Sequence, residues 1–146
     1  MHVLVVAPQP FYRERGTQIA TRCLIEALTA AGHRVDVLTY HVGEDPRIPN
    51  VRVYRSAAIP FVRDVPIGFS LRKLLCDALI GWRLLFLARR NRYDVLHTVE
   101  EAVFLGLLVR LVAPSRVVYA MYSPLPEQFL GRYTGLKALG SLLSRV

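Results

Sequence analysis

The run His2-Val-Leu-Val-Val-Ala7 constrains this chain more than any other feature. It is continuously apolar and β-branched, with no polar alternation, and Pro8 and Pro10 bound it. A strand of that kind has to be covered on both faces, as in a parallel sheet with helices on either side. The following segments fit that demand. A loop containing Gly16 leads into Ile19, Ala20, Cys23, Leu24, Ala27, Leu28 and Ala31 at helical spacing, with Gly32 where a C-cap belongs. Val35-Asp-Val-Leu-Thr39 then reads as a second strand, completing the βαβ unit of a doubly wound fold.

The alternation continues. Val51–Tyr54 reads as a third strand, residues 56–68 as a loop with two prolines and a glycine, and residues 69–91 as a long helix. Asp94–His97 is the fourth strand, residues 100–112 an apolar helix, and Arg116–Tyr119 the fifth strand. Ser123-Pro124 reads as an N-cap followed by proline at the first helical position. The expected architecture is an α/β fold, a Rossmann-like three-layer α/β/α sandwich with a mostly parallel sheet. It occupies residues 1–146 as one domain, expected to be incomplete at its C-terminal end because nothing returns the last helix to the sheet.

A length of 146 residues with 53% hydrophobic content and mean hydropathy +0.31 suits one domain with its own core and excludes disorder. Cys23 and Cys76 are too few for a disulfide framework and fit a reducing compartment. The absence of a basic leader and the shortness of the first apolar run argue against a signal peptide. Leu71–Ala88 is interrupted by Arg72, Lys73, Asp77 and Arg83 and should not span a bilayer. The expected location is cytoplasmic, at most peripheral on the inner face of the plasma membrane.

The net charge of +8 is nearly all arginine and lies mostly in residues 69–146. A basic half points to an acidic partner, or to an arginine-rich solvated surface. No nucleic-acid-binding module is recognisable, so nucleic acid is not an expected partner. At 100° per residue, Leu71, Leu74, Leu75, Ala78, Trp82, Leu85 and Phe86 of the long helix fall on one arc, expected to face the sheet. Arg72, Arg83 and Arg90 form a separate stripe, beside Ile80, Leu84 and Leu87. A basic stripe next to spare apolar groups describes an interfacial helix, making these arginines candidates to face an anionic membrane; cover by a neighbouring element is the alternative.

Ligands of open α/β sheets bind beyond the carboxyl ends of the strands. Three segments should meet there: residues 10–18, 98–101 and 120–128. Gly16, just before a helix N-terminus, would let backbone amides approach a phosphate or carboxylate, or would supply an unusual backbone angle. Its loop is neither G-x-G-x-x-G nor a Walker loop. Thr98 and Glu101 fit a capping box, leaving Glu100 at the ligand edge with its charge favoured by the helix dipole. His97, read as the strand's last residue, either hydrogen-bonds a ligand or packs between layers. The motifs H-E-x-x-H, C-x-x-C and G-x-S-x-G are missing, and Cys23 is expected on an apolar helix face. No metal and no cofactor are expected.

Four phrases in order carry a specific resemblance: Val3–Phe11 with Arg15-Gly-Thr17, Leu24–Tyr40 with its G-H-x-V-x-V-x-T turn, Tyr93–Glu101 with D-V-x-H, and Tyr119–Gln128. Together they resemble the N-terminal domain of family-4-type glycosyltransferases of the GT-B fold. The resemblance implies an acceptor-binding half that works with a second, donor-binding domain, absent here and supplied in cis or in trans. The implied reaction transfers a sugar from a nucleotide-sugar, the co-substrate, to a hydroxyl of a glycan, lipid or small-molecule acceptor, usually with retention and without metal. On this basis Gly16 and Thr17 would border the donor phosphates and reacting sugar, with Arg15 beside them as a substrate-binding residue; His97 and Glu100, the catalytic candidates, would line the cleft floor, and the substrate-binding Tyr122 and Ser123 its far side. Val99 stands where many relatives carry a second histidine, and Ala120 and Tyr122 where many carry His or Asp. No E-x7-E pair is present, so this chain alone is not expected to be active. The alternative is a non-catalytic, membrane-associated or scaffold module derived from such an enzyme.

Overall fold

The computed structural model describes residues 1–11, 16–60 and 71–122. Five strands, β1 (His2–Ala7), β2 (Arg34–Thr39), β3 (Val51–Arg55), β4 (Val95–Val99) and β5 (Arg116–Ala120), form one sheet in the order β3-β2-β1-β4-β5. Every pairing is parallel, and the register sets Val5 beside Val37 on one side and His97 on the other. Helices α1 (Gly16–Ala30), α2 (Leu71–Arg90) and α3 (Ala102–Arg110) make the connections. The element sequence matches the expected one, with ends displaced by a residue or two. The expected final helix lies outside the described residues, as do Arg15 and Ser123.

Side-chain alternation along the strands divides the core in two. Val3, Val5, Ala7, Val35 and Val37 pack with Ile25 and Leu28 of α1. On the opposite face Leu4, Val6, Leu38 and Leu96 pack with Cys76, Ile80, Leu84 and Leu87 of α2 and Val109 of α3. Right-handed crossovers require this arrangement, because connections running leftward and rightward along the sheet lie on opposite faces. Gly106 lets α3 approach β4 closely: a Cβ there would lie 2.7 Å from Cγ2 of Thr98.

Gly32 ends α1 as expected, with φ +79. Its amide donates to the Thr29 carbonyl and the His33 amide to the Leu28 carbonyl, each at 3.0 Å, the paired bonds of a Schellman cap. The rotation of the helices differs from expectation. In α1 the buried residues are Gln18, Thr21 and Ile25, while Cys23 is exposed and Ile19 is 45% exposed. The helix is therefore turned roughly a third of a turn from its most apolar arc. A bond from the Gln9 amide to the Thr21 hydroxyl, 3.3 Å, fastens it that way.

For α2 the expected face is reversed. Leu71, Leu74, Leu75, Trp82 and Phe86 are exposed, Ala78 also, and of that arc only Leu85 packs partly on the core. Ile80, Leu84 and Leu87, which looked surplus, are the core face. Both arcs are apolar, so periodicity alone could not choose between them. Polar anchors choose: Asp77 accepts a hydrogen bond from Tyr40, and Lys73 pairs with Glu101. At the amino-terminal edge, buried Asp36 accepts from the Tyr93 hydroxyl at 2.9 Å and meets the His2 ring at 3.1 Å. That cluster lies at the end of the sheet opposite the strands' carboxyl ends.

Candidate functional site

Strand order reverses between β1 and β4, since the chain steps outward through β2 and β3 on one side and β5 on the other. A crevice opens beyond the carboxyl ends at such a switch point. The first turn of α1, with Gly16 and Thr17, follows β1, and Glu100 follows β4, so the topology brings them to adjacent strand ends. Tyr122 lies two residues past β5, one strand further out, and is 39% exposed. Gly16 has no left-handed angle among the described glycines; its Cβ position meets nothing within 4 Å. The expected unusual backbone angle is therefore not its role. What it offers is open space at a helix N-terminus.

Glu100 is the strained residue of the crevice, with φ +50. A non-glycine in the left-handed region costs about 1–3 kcal/mol, and such positions concentrate at functional sites. The strain is held by a bond from the Glu100 amide to the Ala120 carbonyl, 3.0 Å, across the ends of β4 and β5. The expected capping box does not form. Glu101 occupies the N-cap of α3 without a side-chain cap bond, and the Thr98 hydroxyl instead donates to the Val118 carbonyl at 3.0 Å. Thr98 faces inward from mid-ladder, out of reach of the helix start.

Glu101 pairs with Lys73, which belongs to a polar cluster that sequence reasoning missed. Tyr40 follows β2 and donates its hydroxyl to Oδ1 of Asp77 at 2.5 Å. Burial pushes the Asp77 carboxyl up, opposed by that bond and by Lys73. Burial pushes Lys73 down, opposed first by Asp77 and then by Glu100. The cluster thus joins the first two turns of α2 to Glu100 through partly desolvated charges. The available signal was Lys73 and Asp77 at i, i+4, Asp77 being the one carboxylate of α2.

His97 sits deeper than expected. The strand runs on to Val99, and His97 pairs in register with Val5 and Val118 at mid-ladder. Alternation with Thr98 turns it toward the α1 face, where its buried Nε2 has no hydrogen-bond partner among the described residues. Burial lowers its pKa and keeps the ring neutral. Val99, 1% exposed, packs on the same face with Ile25 and Phe11.

Arg55, at the end of β3, is the second residue that the sequence did not disclose. Its Nη1 donates to the carbonyls of Phe11 (2.9 Å), Tyr40 (3.2 Å) and Val42 (3.4 Å), and its Nη2 to Asp45 (2.7 Å). One guanidinium therefore ties the loop after β1 to the loop after β2. Thr39 adds a bond to the Gln9 carbonyl at 2.6 Å. Gly43, with φ +123, lies so close that a Cβ would be 2.3 Å from the Phe11 carbonyl oxygen. These contacts join the segments that follow β1 and β2 at the carboxyl edge of the sheet.

Arg72, Arg83 and Arg90 are exposed on α2, Arg72 in its first turn and Arg90 at its last residue. Among the described residues no group of three His, Cys, Asp or Glu could hold a metal ion, and no helix is long and apolar enough to cross a membrane.

This arrangement, an all-parallel Rossmann-like sheet with helices on both faces, is shared with a sucrose-phosphate synthase from Thermosynechococcus elongatus. The likeness has a TM-score of 0.65 at 19% identity over 89% of this chain and 68% of that one. No curated protein matches in sequence. A family model described as Glycosyltransferase Family 4 matches residues 15–145. The chain belongs to that family, and its fold is that of a GT-B amino-terminal half.

Proposed function

We propose that this chain is the acceptor-side half of a glycosyltransferase cleft, working with a donor-binding domain in the same or another chain. The observation that carries the proposal is the convergence, at the β1–β4 switch point, of an open helix N-terminus and a strained carboxylate. Free amides around Gly16 and Thr17 suit the diphosphate of a nucleotide-sugar. In the reaction an acceptor oxygen bonds to the anomeric carbon and the nucleoside diphosphate departs with the electron pair of the broken bond. Glu100 is the carboxylate near enough to that crevice to take the acceptor's proton, with its position held by strain and its charge balanced by Lys73. Tyr122 extends the wall, and Arg15 and Ser123 belong to the same two loops. His97, set back and neutral, supports the floor rather than exchanging protons.

The test is nucleoside diphosphate release by this chain assembled with its donor-binding domain, over a panel of nucleotide-sugars and hydroxyl acceptors. Gly16→Phe should abolish release while leaving the unfolding temperature unchanged, because a Cβ at Gly16 meets nothing within 4 Å among the described residues. Unchanged turnover would sink the site assignment. A second proposal, a non-catalytic module derived from such an enzyme, draws on buried Val99 at a position that many relatives give to histidine. It predicts no release with any sugar and intact binding of the partner domain.

A further inference from the structure

The outer surface formed by α2 and α3 is apolar, basic and free of carboxylates. On α2, Leu71, Leu75, Trp82 and Phe86 lie within roughly 60° of one another on the solvent side, and Trp82 is 75% exposed. α3 adds Phe104, Leu108 and Leu111, the last 82% exposed. The two helices touch where Leu105 reaches to 3.1 Å from the Cβ position of Gly81, so their outer faces are neighbours. Arg72, Arg83 and Arg90 flank the α2 stripe on the side away from α3, and Arg89 and Arg110 close one end. The guanidinium of Arg90 lies 4.6 Å from the Phe86 ring centroid and that of Arg83 6.0 Å, holding the charges level with the apolar rim. The one carboxylate on either helix, Asp77, is turned to Tyr40.

We infer that this face docks on the surface of an anionic lipid bilayer, with α2 lying along the headgroup boundary. Large apolar side chains in one stripe with arginine beside them are what an interfacial helix buries and presents. The charge pattern argues against a second copy of the chain. A two-fold contact would set this patch against itself and bring no carboxylate to the arginines, since neither helix presents one on this face. Anionic lipid supplies both requirements, an apolar layer for Leu75 and Trp82 and negative headgroups for Arg72, Arg83 and Arg90. The docking surface is independent of the crevice chemistry and stands or falls apart from it.

The sequence contains one tryptophan, Trp82, in the middle of this face. Its emission should shift to the blue when the protein meets mixed phosphatidylcholine–phosphatidylglycerol vesicles, and not with phosphatidylcholine alone. The protein should sediment with the mixed vesicles and be released by salt. Neutralising Arg72, Arg83 and Arg90 together to Gln should weaken partitioning about a hundredfold, at about fivefold per arginine. Leu75→Ser should weaken it about tenfold. All four positions are exposed, so circular dichroism and unfolding temperature should match the parent. Binding to neutral vesicles as strong as to anionic ones, or partitioning unmoved by these substitutions, overturns the inference. So does a lipid-free blue shift that grows with concentration and doubles the mass, which would give the face to a second copy. A Trp82 emission that is blue at every dilution and indifferent to vesicles overturns it in favour of protein cover.

Discussion

Replacing Arg55 with Met should cost the protein about 3 kcal/mol. The side chain serves the carbonyl of Tyr40, which is 1% exposed, so no water replaces the lost donor there. A buried acceptor left unpaired costs about 1–3 kcal/mol, with hydrogen bonds from a charged donor toward the upper end. The Val42 contact, at 3.4 Å, adds little. The Asp45 pair adds under about 1 kcal/mol, since that carboxylate is 71% exposed. For a chain of this length the loss corresponds to a midpoint lower by roughly 10 °C. Urea unfolding with an unchanged slope measures it directly. Arg55→Lys should lose about half as much, because one ammonium nitrogen cannot serve both the carbonyls and Asp45, which two guanidinium nitrogens divide between them. A Met variant within about 0.5 kcal/mol of the parent would refute the claim that Arg55 clamps the two loops.

Two further outcomes follow from the same wall and floor. Glu100→Gly removes the left-handed strain, so the variant should unfold no earlier than the parent while sugar transfer collapses; early unfolding with transfer retained would reverse the roles of fold and function at this residue. His97 is held neutral by burial, below its ordinary value of 6.5. The unfolded chain therefore binds a proton that the native state refuses once pH falls below about 6.5, and stability falls with acid through that window and is flat above it. Subtracting the pH–stability curve of His97→Gln from that of the parent should isolate the slope, and two parallel curves would show that His97 is not the group responsible.

The strand content was legible because β-branched runs such as Val3–Val6 and Val35–Leu38 admit only one environment, a sheet covered on both sides. The α1 terminator was legible for the same reason: at Gly32 the left-handed angle and the residue type coincide. Helix rotation was not. The α1 helix buries Gln18 and Thr21 because the loop after β1 reaches Thr21, and that loop's path is a tertiary fact. In the crevice, Gly16, Thr17 and Glu100 could be placed from strand order. Arg55 could not, because a strand-end arginine looks solvated until the backbone carbonyls it serves are brought to it from beyond the ends of two other strands.

The reversed face of α2 is more informative than a correctly read one would have been. A helix layered on one side of a sheet has a single buried arc, here Cys76, Ile80, Leu84, Leu87 and Ala88. That arc already meets the sheet's demand, so Leu71, Leu75, Trp82 and Phe86 contribute nothing to it. Exposed apolar stripes of this extent mark interaction surfaces, since they favour aggregation when nothing covers them. Their setting narrows the kind of cover. A partner domain packed against them would have to bury or pair five arginines, Arg72, Arg83, Arg89, Arg90 and Arg110, with no help from carboxylates on these helices. A lipid surface leaves every guanidinium hydrated at the headgroup level while the hydrocarbon takes the leucines and the tryptophan. The periodicity that misassigned the core still disclosed two apolar arcs on one helix: one meets the sheet, and the other is the arc that the proposed lipid surface would cover.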